Sequence, residues 1–171
     1  ADRPALKGEE AAALTRECYE RRRRTLGPDN PDVYTAALNL ADFEIILGHP
    51  QEGLRLAEET LTERLRLLGP DHPDVRIARV LLGRALAAAS VWKRAIPLLE
   101  EQLAEDADIP GNNERARAMA AWYLAQSYLG VGRKAEAQAL LDTQMQGLLG
   151  ATHKELNPPE RYAVAQLQAY L

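Results

Sequence analysis

The hydrophobic positions of the chain do not alternate strictly with polar ones, and runs of β-branched residues are few. This pattern favours helices over strands. Glycine followed by proline marks where several segments end, and proline marks where several begin, because proline suits the first helical position and cannot continue a helix. The sequence therefore predicts an all-α protein, with helices at about 9–26, 31–47, 50–68, 73–89, 91–107, 113–130, 133–149 and 158–171.

The chain also repeats itself with a period of 42 residues. The phrase LGPDNPDV at Leu26–Val33 returns as LGPDHPDV at Leu68–Val75, and the same shift aligns Leu40 with Leu82 and Leu124. A fixed period of this size is typical of repeat architectures. Three two-helix units are expected, at about 31–68, 73–107 and 113–149.

The repeated phrase is interpreted as a corner between two helices. Gly69-Pro70 ends one helix, and Pro73 opens the next with Asp74 beside the positive end of its dipole. Asn30 is a good residue to cap the first of these helices, and His72 is a weaker one for the second. A ligand site built in duplicate is the alternative reading of the same phrase.

Small residues recur where two helices of a pair should approach closely, and large ones where the space between them should be filled. The small positions are Ala41, Gly83 and Ala125 on the first helices, with Gly53, Ala95 and Ala137 on the second. The predicted core residues are Leu40, Leu47, Leu82, Leu86, Leu124 and Tyr128. Interlocking of this kind sets helix axes about 8–10 Å apart.

The segments LGPDNPDV, LGPDHPDV, ALNLADFEIILGHPQEG, AIPLLEEQL and YLAQSYLGVGRKAEAQALL together resemble tetratricopeptide repeats. The likeness is to the 42-residue variety found in kinesin light chains and many bacterial relatives, and it covers residues 9–156. It implies a right-handed α-solenoid of about three helix pairs with a concave face that binds peptides. We expect a tail at 1–8 and one repeat domain at 9–171, with an extra helix at each end, 9–26 and 158–171.

The chain departs from the family pattern in two places. The third corner reads DIPGNNERA instead of the proline-rich phrase. Glu44 and Arg79 occupy positions that the family fills with apolar or aromatic groups. They could pair across adjacent repeats, or the interface could be shifted there.

In the resembling family, the first helix of each pair lines the concave groove, which implies a set of ligand-binding positions in this chain. Asn39 matches an asparagine whose amide grips a peptide backbone by both donating and accepting. Trp122 and Tyr123 are either an aromatic end of the groove or part of the core. The implied groove residues are Thr35, Asn39, Asp42, Ile77, Leu81, Arg84, Met119, Trp122, Tyr123 and Gln126.

Charge and the reactive residues do not add a chemical function to this picture. The net charge is −4, and the basic run Arg21–Arg24 would point around a whole helix, where Glu17 and Glu20 lie within pairing distance, so nucleic-acid binding is not expected. The lone Cys18 is expected to be a small, partly buried thiol in a reducing compartment. The three histidines lack the helical spacing of a metal site.

The sequence therefore predicts a non-catalytic protein without cofactor or metal that binds a protein or peptide partner as a scaffold. No membrane span is expected, because no apolar stretch approaches the roughly 20 residues needed, and a cytoplasmic location follows as an expectation. A regulatory, oligomerisation or spacer domain of a larger bacterial signalling protein is the alternative. The oligomeric state is left open.

Overall fold

The computed structural model describes residues 3–107 and 114–144, with side chains described for 8–105 and 117–143. Every secondary-structure element in these ranges is a helix, as the absence of alternating patterns predicts. The helices are α1 (Arg3–Leu26), α2 (Pro31–Ile46), α3 (Pro50–Leu68), α4 (Pro73–Ala88), α5 (Trp92–Ala107), α6 (Glu114–Gly130) and α7 (Lys134–Gln144).

The predicted helix boundaries agree with the structure to within a residue at most described ends. The exception is α1, which begins at Arg3 rather than Glu9. Pro4 then lies in the first turn, where its missing N–H would have had no partner within the helix. The predicted helix at 158–171 and the end of the one at 133–149 lie outside the described residues.

The packing divides the chain into two compact units, residues 1–89 and 90–171. In the first unit α1 packs on α2, α2 on α3 and α3 on α4, and α2 also contacts α4. Each link between these helices is short, so consecutive helices run antiparallel and α2 and α4 run in the same direction. In the second unit α6 packs on both α5 and α7. The prediction of one domain over 9–171 stays a prediction.

Five of the six predicted core positions are buried. Leu40 and Leu86 are at most 1% exposed, Leu82, Leu124 and Tyr128 are also buried, and Leu47 is half-buried. Burying a leucine side chain contributes roughly 1.5–3 kcal/mol. Each unit therefore has its own apolar interior.

The repeated phrase is a corner in both copies. Gly27 and Gly69 have φ of 80° and 78°, a left-handed conformation that glycine adopts without steric cost. The side chains of Asn30 and His72 each accept a hydrogen bond from the backbone N–H two residues later, at 2.9 and 3.1 Å. The phrase thus ends one helix and caps the next, as predicted.

Replacing Asn30 by alanine should lower the free energy of unfolding by about 0.5–2 kcal/mol, because the cap of α2 is lost. Chemical denaturation monitored by circular dichroism measures the change. Gln51→Ala is the control, since Gln51 is an exposed residue within α3 and caps nothing. Equal stability of the two variants would contradict the capping role of Asn30.

Gly53 shows why small residues recur at the close-approach positions. A Cβ atom added to Gly53 would lie 2.9 Å from the carbonyl oxygen of Ala41 and 2.7 Å from Cγ1 of Ile45. Ala41, Ala95, Ala125 and Ala137, at the other aligned positions, are at most 1% exposed. The predicted close approach is confirmed between α2 and α3.

Glu44 does not pair with Arg79. Its carboxylate, 6% exposed, binds Arg16 Nη2 of α1 at 2.5 Å and His49 Nδ1 at 2.9 Å. These partners come from the preceding helix and from the end of the α2–α3 link, so the buried carboxylate is stabilised within the first unit without Arg79. Arg79 lies half-buried on α4.

Helix α1 exposes a face whose counterpart in α3 is buried. Leu14 is 68% exposed, whereas Leu56, one period later, is 1% exposed. Cys18 is exposed although the aligned Thr60 is fully buried, so the prediction of a partly buried thiol was wrong. The reason is that α3 packs between α2 and α4, whereas α1 packs extensively on α2 and reaches α3 mainly through ion pairs such as Arg23–Glu59.

Candidate functional site

A recess of about 280 Å³ lies between α2 and α4 of the first unit. Six of the predicted groove residues line it, three from each helix. Their spacing places them there, because residues three and four positions apart share one face of a helix. The full lining is Thr35, Leu38, Asn39, Asp42, Arg64, Asp74, Ile77, Val80, Leu81 and Arg84. We call this site the α2–α4 recess.

The middle of the recess is apolar. Leu38 and Leu81 are 7% and 6% exposed, so most of their surface is already covered. Ile77 is 52% exposed and is the large apolar side chain most open to solvent in this lining. Asn39 is also exposed, with its amide on the same face of α2 as Thr35. The recess thus offers an apolar surface beside an amide that can both donate and accept hydrogen bonds.

An ion pair lies at each end of the recess. At one end Arg84 Nη2 is 2.8 Å from Asp42 Oδ1. At the other end Arg64 Nη2 is 4.0 Å from Asp74 Oδ2. These two acidic and two basic side chains together have a formal charge of zero.

Arg64 was missed by the sequence prediction, which considered only the first helix of each pair. It extends from α3, where its side chain is 5% exposed, and donates to the carbonyl oxygen of Asp74 at 2.8 Å and to Thr35 Oγ1 at 3.2 Å. Burial lowers the pKa of the Arg64 guanidinium, and the Asp74 carboxylate opposes this shift. Arg64 therefore joins α2, α3 and α4 beneath the recess.

The remaining predicted groove residues lie on α6 of the second unit. Trp122 and Tyr123 are each 8% exposed, about as little as Leu81 in the α2–α4 recess, so their burial is compatible with both alternatives, groove and core. Met119 and Gln126 are half-buried. The predicted aromatic end of the groove consists of side chains that are already covered.

The basic run Arg21–Arg24 does not form one patch. Arg22 donates to the carbonyl oxygen of Asp32, and Arg23 donates to Tyr19 Oη and lies 3.8 Å from Glu59. These partners replace the predicted Glu17 and Glu20. Arg22 and Arg23 thus bind other parts of the first unit.

In the residues whose side chains are described, no group of three or more histidine, cysteine or acidic side chains could hold a metal ion. None of the helices found in the described part of the chain combines the length and apolarity needed to cross a membrane.

Helix pairs that recur with a fixed sequence period are the mark of the helical-repeat proteins. Comparison with known proteins identifies the family within this class. Models of the tetratricopeptide repeat match residues 7–32 and 32–104, which together make up more than half of the chain. The chain belongs to the tetratricopeptide repeat family. No protein of curated function matches it.

Solved structures of similar fold come from Podosopora anserina. One is described as a kinesin light chain with nearly identical TPR-like repeats; it is 24% identical, has a TM-score of 0.56, and the match covers 94% of this chain and 69% of that one. A single-substitution variant of it has a TM-score of 0.58 at 24% identity, over 95% of this chain and 69% of that chain. At this identity the likeness shows the fold alone, an all-α helical repeat.

Proposed function

We propose that the chain is a non-catalytic interaction module whose α2–α4 recess binds a segment of a partner protein. Tetratricopeptide repeats mediate protein–protein interactions, and the scaffold is typically non-catalytic. The observation that carries the proposal is the meeting of six predicted groove residues from two successive repeats in one recess. The cytoplasmic location and bacterial type expected from the sequence stay predictions.

The recess has the two kinds of contact that peptide binding requires. The exposed amide of Asn39 suits a peptide backbone, which presents alternating donors and acceptors. Ile77, with half its surface in water, gains from burial against an apolar side chain, at about 25 cal/mol per Å² removed from solvent. Both side chains are exposed, so we expect their substitution to cost little stability.

The double variant Asn39→Ala/Ile77→Ser should weaken partner binding by about tenfold or more, which corresponds to roughly 1.4 kcal/mol. Partners are first identified by capture on the full chain and mass spectrometry, and their affinity is then measured by calorimetry.

The matched control is Gln51→Ala/Leu65→Ser, which makes the same kinds of change at exposed positions of α3 outside the recess. The control should keep the affinity of the original chain. Unchanged binding by the folded recess variant, or equal losses in both variants, would contradict the proposed site.

A second candidate function, association of copies through α1, is favoured by the exposure of Leu14. This side chain is 68% exposed, although its counterpart Leu56 is covered by neighbouring helices. Sedimentation as a function of concentration tests it. A Leu14→Glu variant should shift an associating chain towards the monomer, and a chain that is monomeric at every concentration would exclude this candidate.

A further inference from the structure

We propose that the α2–α4 recess selects a segment in which one large apolar side chain lies between two basic side chains. This inference rests on the proposed function, because it concerns the ligand of the same recess. It follows from which member of each ion pair faces solvent, from the size of the apolar middle, and from the distance between the two pairs.

At both ends of the recess the acidic partner is the more exposed one. The side chain of Asp42 is 41% exposed and that of its partner Arg84 is 22% exposed. Asp74 is 38% exposed, whereas its partner Arg64 is 5% exposed. A ligand that approaches from solvent therefore meets the Asp74 carboxylate before the Arg64 guanidinium, whereas both members of the Asp42–Arg84 pair are partly exposed.

The burial of Arg64 also limits which ligands can reach its guanidinium group. Arg64 is held below the surface by its hydrogen bonds to the Asp74 carbonyl and to Thr35. An acidic ligand would have to approach Asp74 closely before it could reach that guanidinium. Like charges at short range repel and opposite charges attract, so the ends of the recess favour cationic groups.

The apolar middle has room for a large apolar side chain. The whole recess, with its polar ends, has a volume of about 280 Å³, close to the lower end of the roughly 300–1,000 Å³ of small-molecule pockets. Ile77 and Val80 border it, and Leu38 and Leu81 are mostly covered. A leucine, methionine or phenylalanine side chain fits this description.

The spacing of the two acidic ends sets the length of the segment. Asp74 and Arg84, the partner of Asp42, are ten positions apart on α4, a rise of about 15 Å at 1.5 Å per residue. An extended chain covers that distance in about four to five residues, since each residue spans about 3.3 Å. The inferred ligand thus has basic residues about four positions apart with the apolar residue between them.

Three capped five-residue peptides test the inference on the full chain: Lys-Gly-Leu-Gly-Lys, Glu-Gly-Leu-Gly-Glu and Lys-Gly-Ser-Gly-Lys. Binding is followed at low salt by shifts of the backbone amide resonances of α2 and α4. The lysine–leucine peptide should bind best. The glutamate peptide should bind about tenfold more weakly or worse, because two attractive contacts become repulsive. The serine peptide should bind more weakly, because it lacks the apolar side chain.

Charge-removing variants assign the preference to the two acids. Asp42→Asn and Asp74→Asn should each weaken binding of the lysine–leucine peptide by about two- to fivefold, the effect expected for an exposed ion pair. Asp142→Asn is the control, since it makes the same change of charge at a residue of α7 that does not line the recess. Raising the salt concentration should reduce the difference between the lysine and glutamate peptides.

The outcomes separate this inference from the proposed function. If the three peptides shift the recess resonances equally, or the glutamate peptide binds best, the recess binds peptides but the inferred preference is wrong. If the lysine–leucine peptide shifts no resonance of the recess at millimolar concentration, or shifts resonances elsewhere, both the inference and the proposed site fail.

Discussion

Leu56→Ala should lower the free energy of unfolding of the first unit by about 2–5 kcal/mol, whereas Leu14→Ala should lower it by less than about 0.5 kcal/mol. The two leucines occupy the same position of the repeat, one period apart. Leu56 is 1% exposed and Leu14 is 68% exposed, so the same substitution leaves a cavity at one site and almost none at the other.

Denaturant unfolding followed by circular dichroism measures both changes. Both sites are inside helices, so the difference in helix propensity between leucine and alanine affects both variants and cancels when their losses are compared. Similar losses for both variants would show that the exposed face of α1 is covered in solution, which the structure does not predict. A small loss for Leu56→Ala would contradict the packing of α3 between α2 and α4.

The second large effect is expected at Gly53, where α2 and α3 approach most closely. Gly53→Val should lower the free energy of unfolding by about 2–3 kcal/mol, because the added atoms would overlap the carbonyl oxygen of Ala41 and force the helices apart. Helix propensity acts in the opposite direction, because glycine is a poorer helix former than valine. A net loss of unfolding free energy in Gly53→Val would therefore come from the steric overlap and not from helix propensity.

Gly8→Val is the control for this substitution. A Cβ atom at Gly8 would lie 3.3 Å from Cδ2 of Leu47, the movable end of a side chain, and no backbone atom stands in its way. Its effect should be smaller than about 1 kcal/mol. A stable Gly53→Val variant, measured in the same unfolding experiment, would contradict the close approach of the two helices.

The helices and corners of the first four elements were predictable because their signals are local. Gly69 needs a left-handed conformation, Pro73 suits a first turn and Asn30 caps a helix, each within a few residues of sequence. The 42-residue period then aligned the buried positions. The pairing of Glu44 with Arg16 and the exposure of Cys18 could not be obtained in this way. Both depend on which helices lie beside α1, and a repeat pattern assigns every unit the same neighbours.

The candidate site was predictable in part for a similar reason. The three positions on α2 and the three on α4 follow from the resemblance and from helical spacing, and they line one recess. Arg64 extends to that recess from α3, so a search confined to the first helices could not include it. Trp122 and Tyr123 were ambiguous, because aromatic residues serve both cores and interfaces. Both are buried in the structure, but so is Leu81 in the α2–α4 recess, so burial alone does not separate the two roles.

Site-specific photo-crosslinking can show whether a partner segment occupies the α2–α4 recess. A photoreactive amino acid replaces Asn39 in one variant and Gln51 in another, and both are irradiated with the partner bound before the adducts are sequenced. We expect adducts from position 39 to one short partner segment, with an apolar residue near basic ones, and few or none from position 51. Adducts from position 51 alone, or none from position 39 while the partner stays bound, would contradict this expectation.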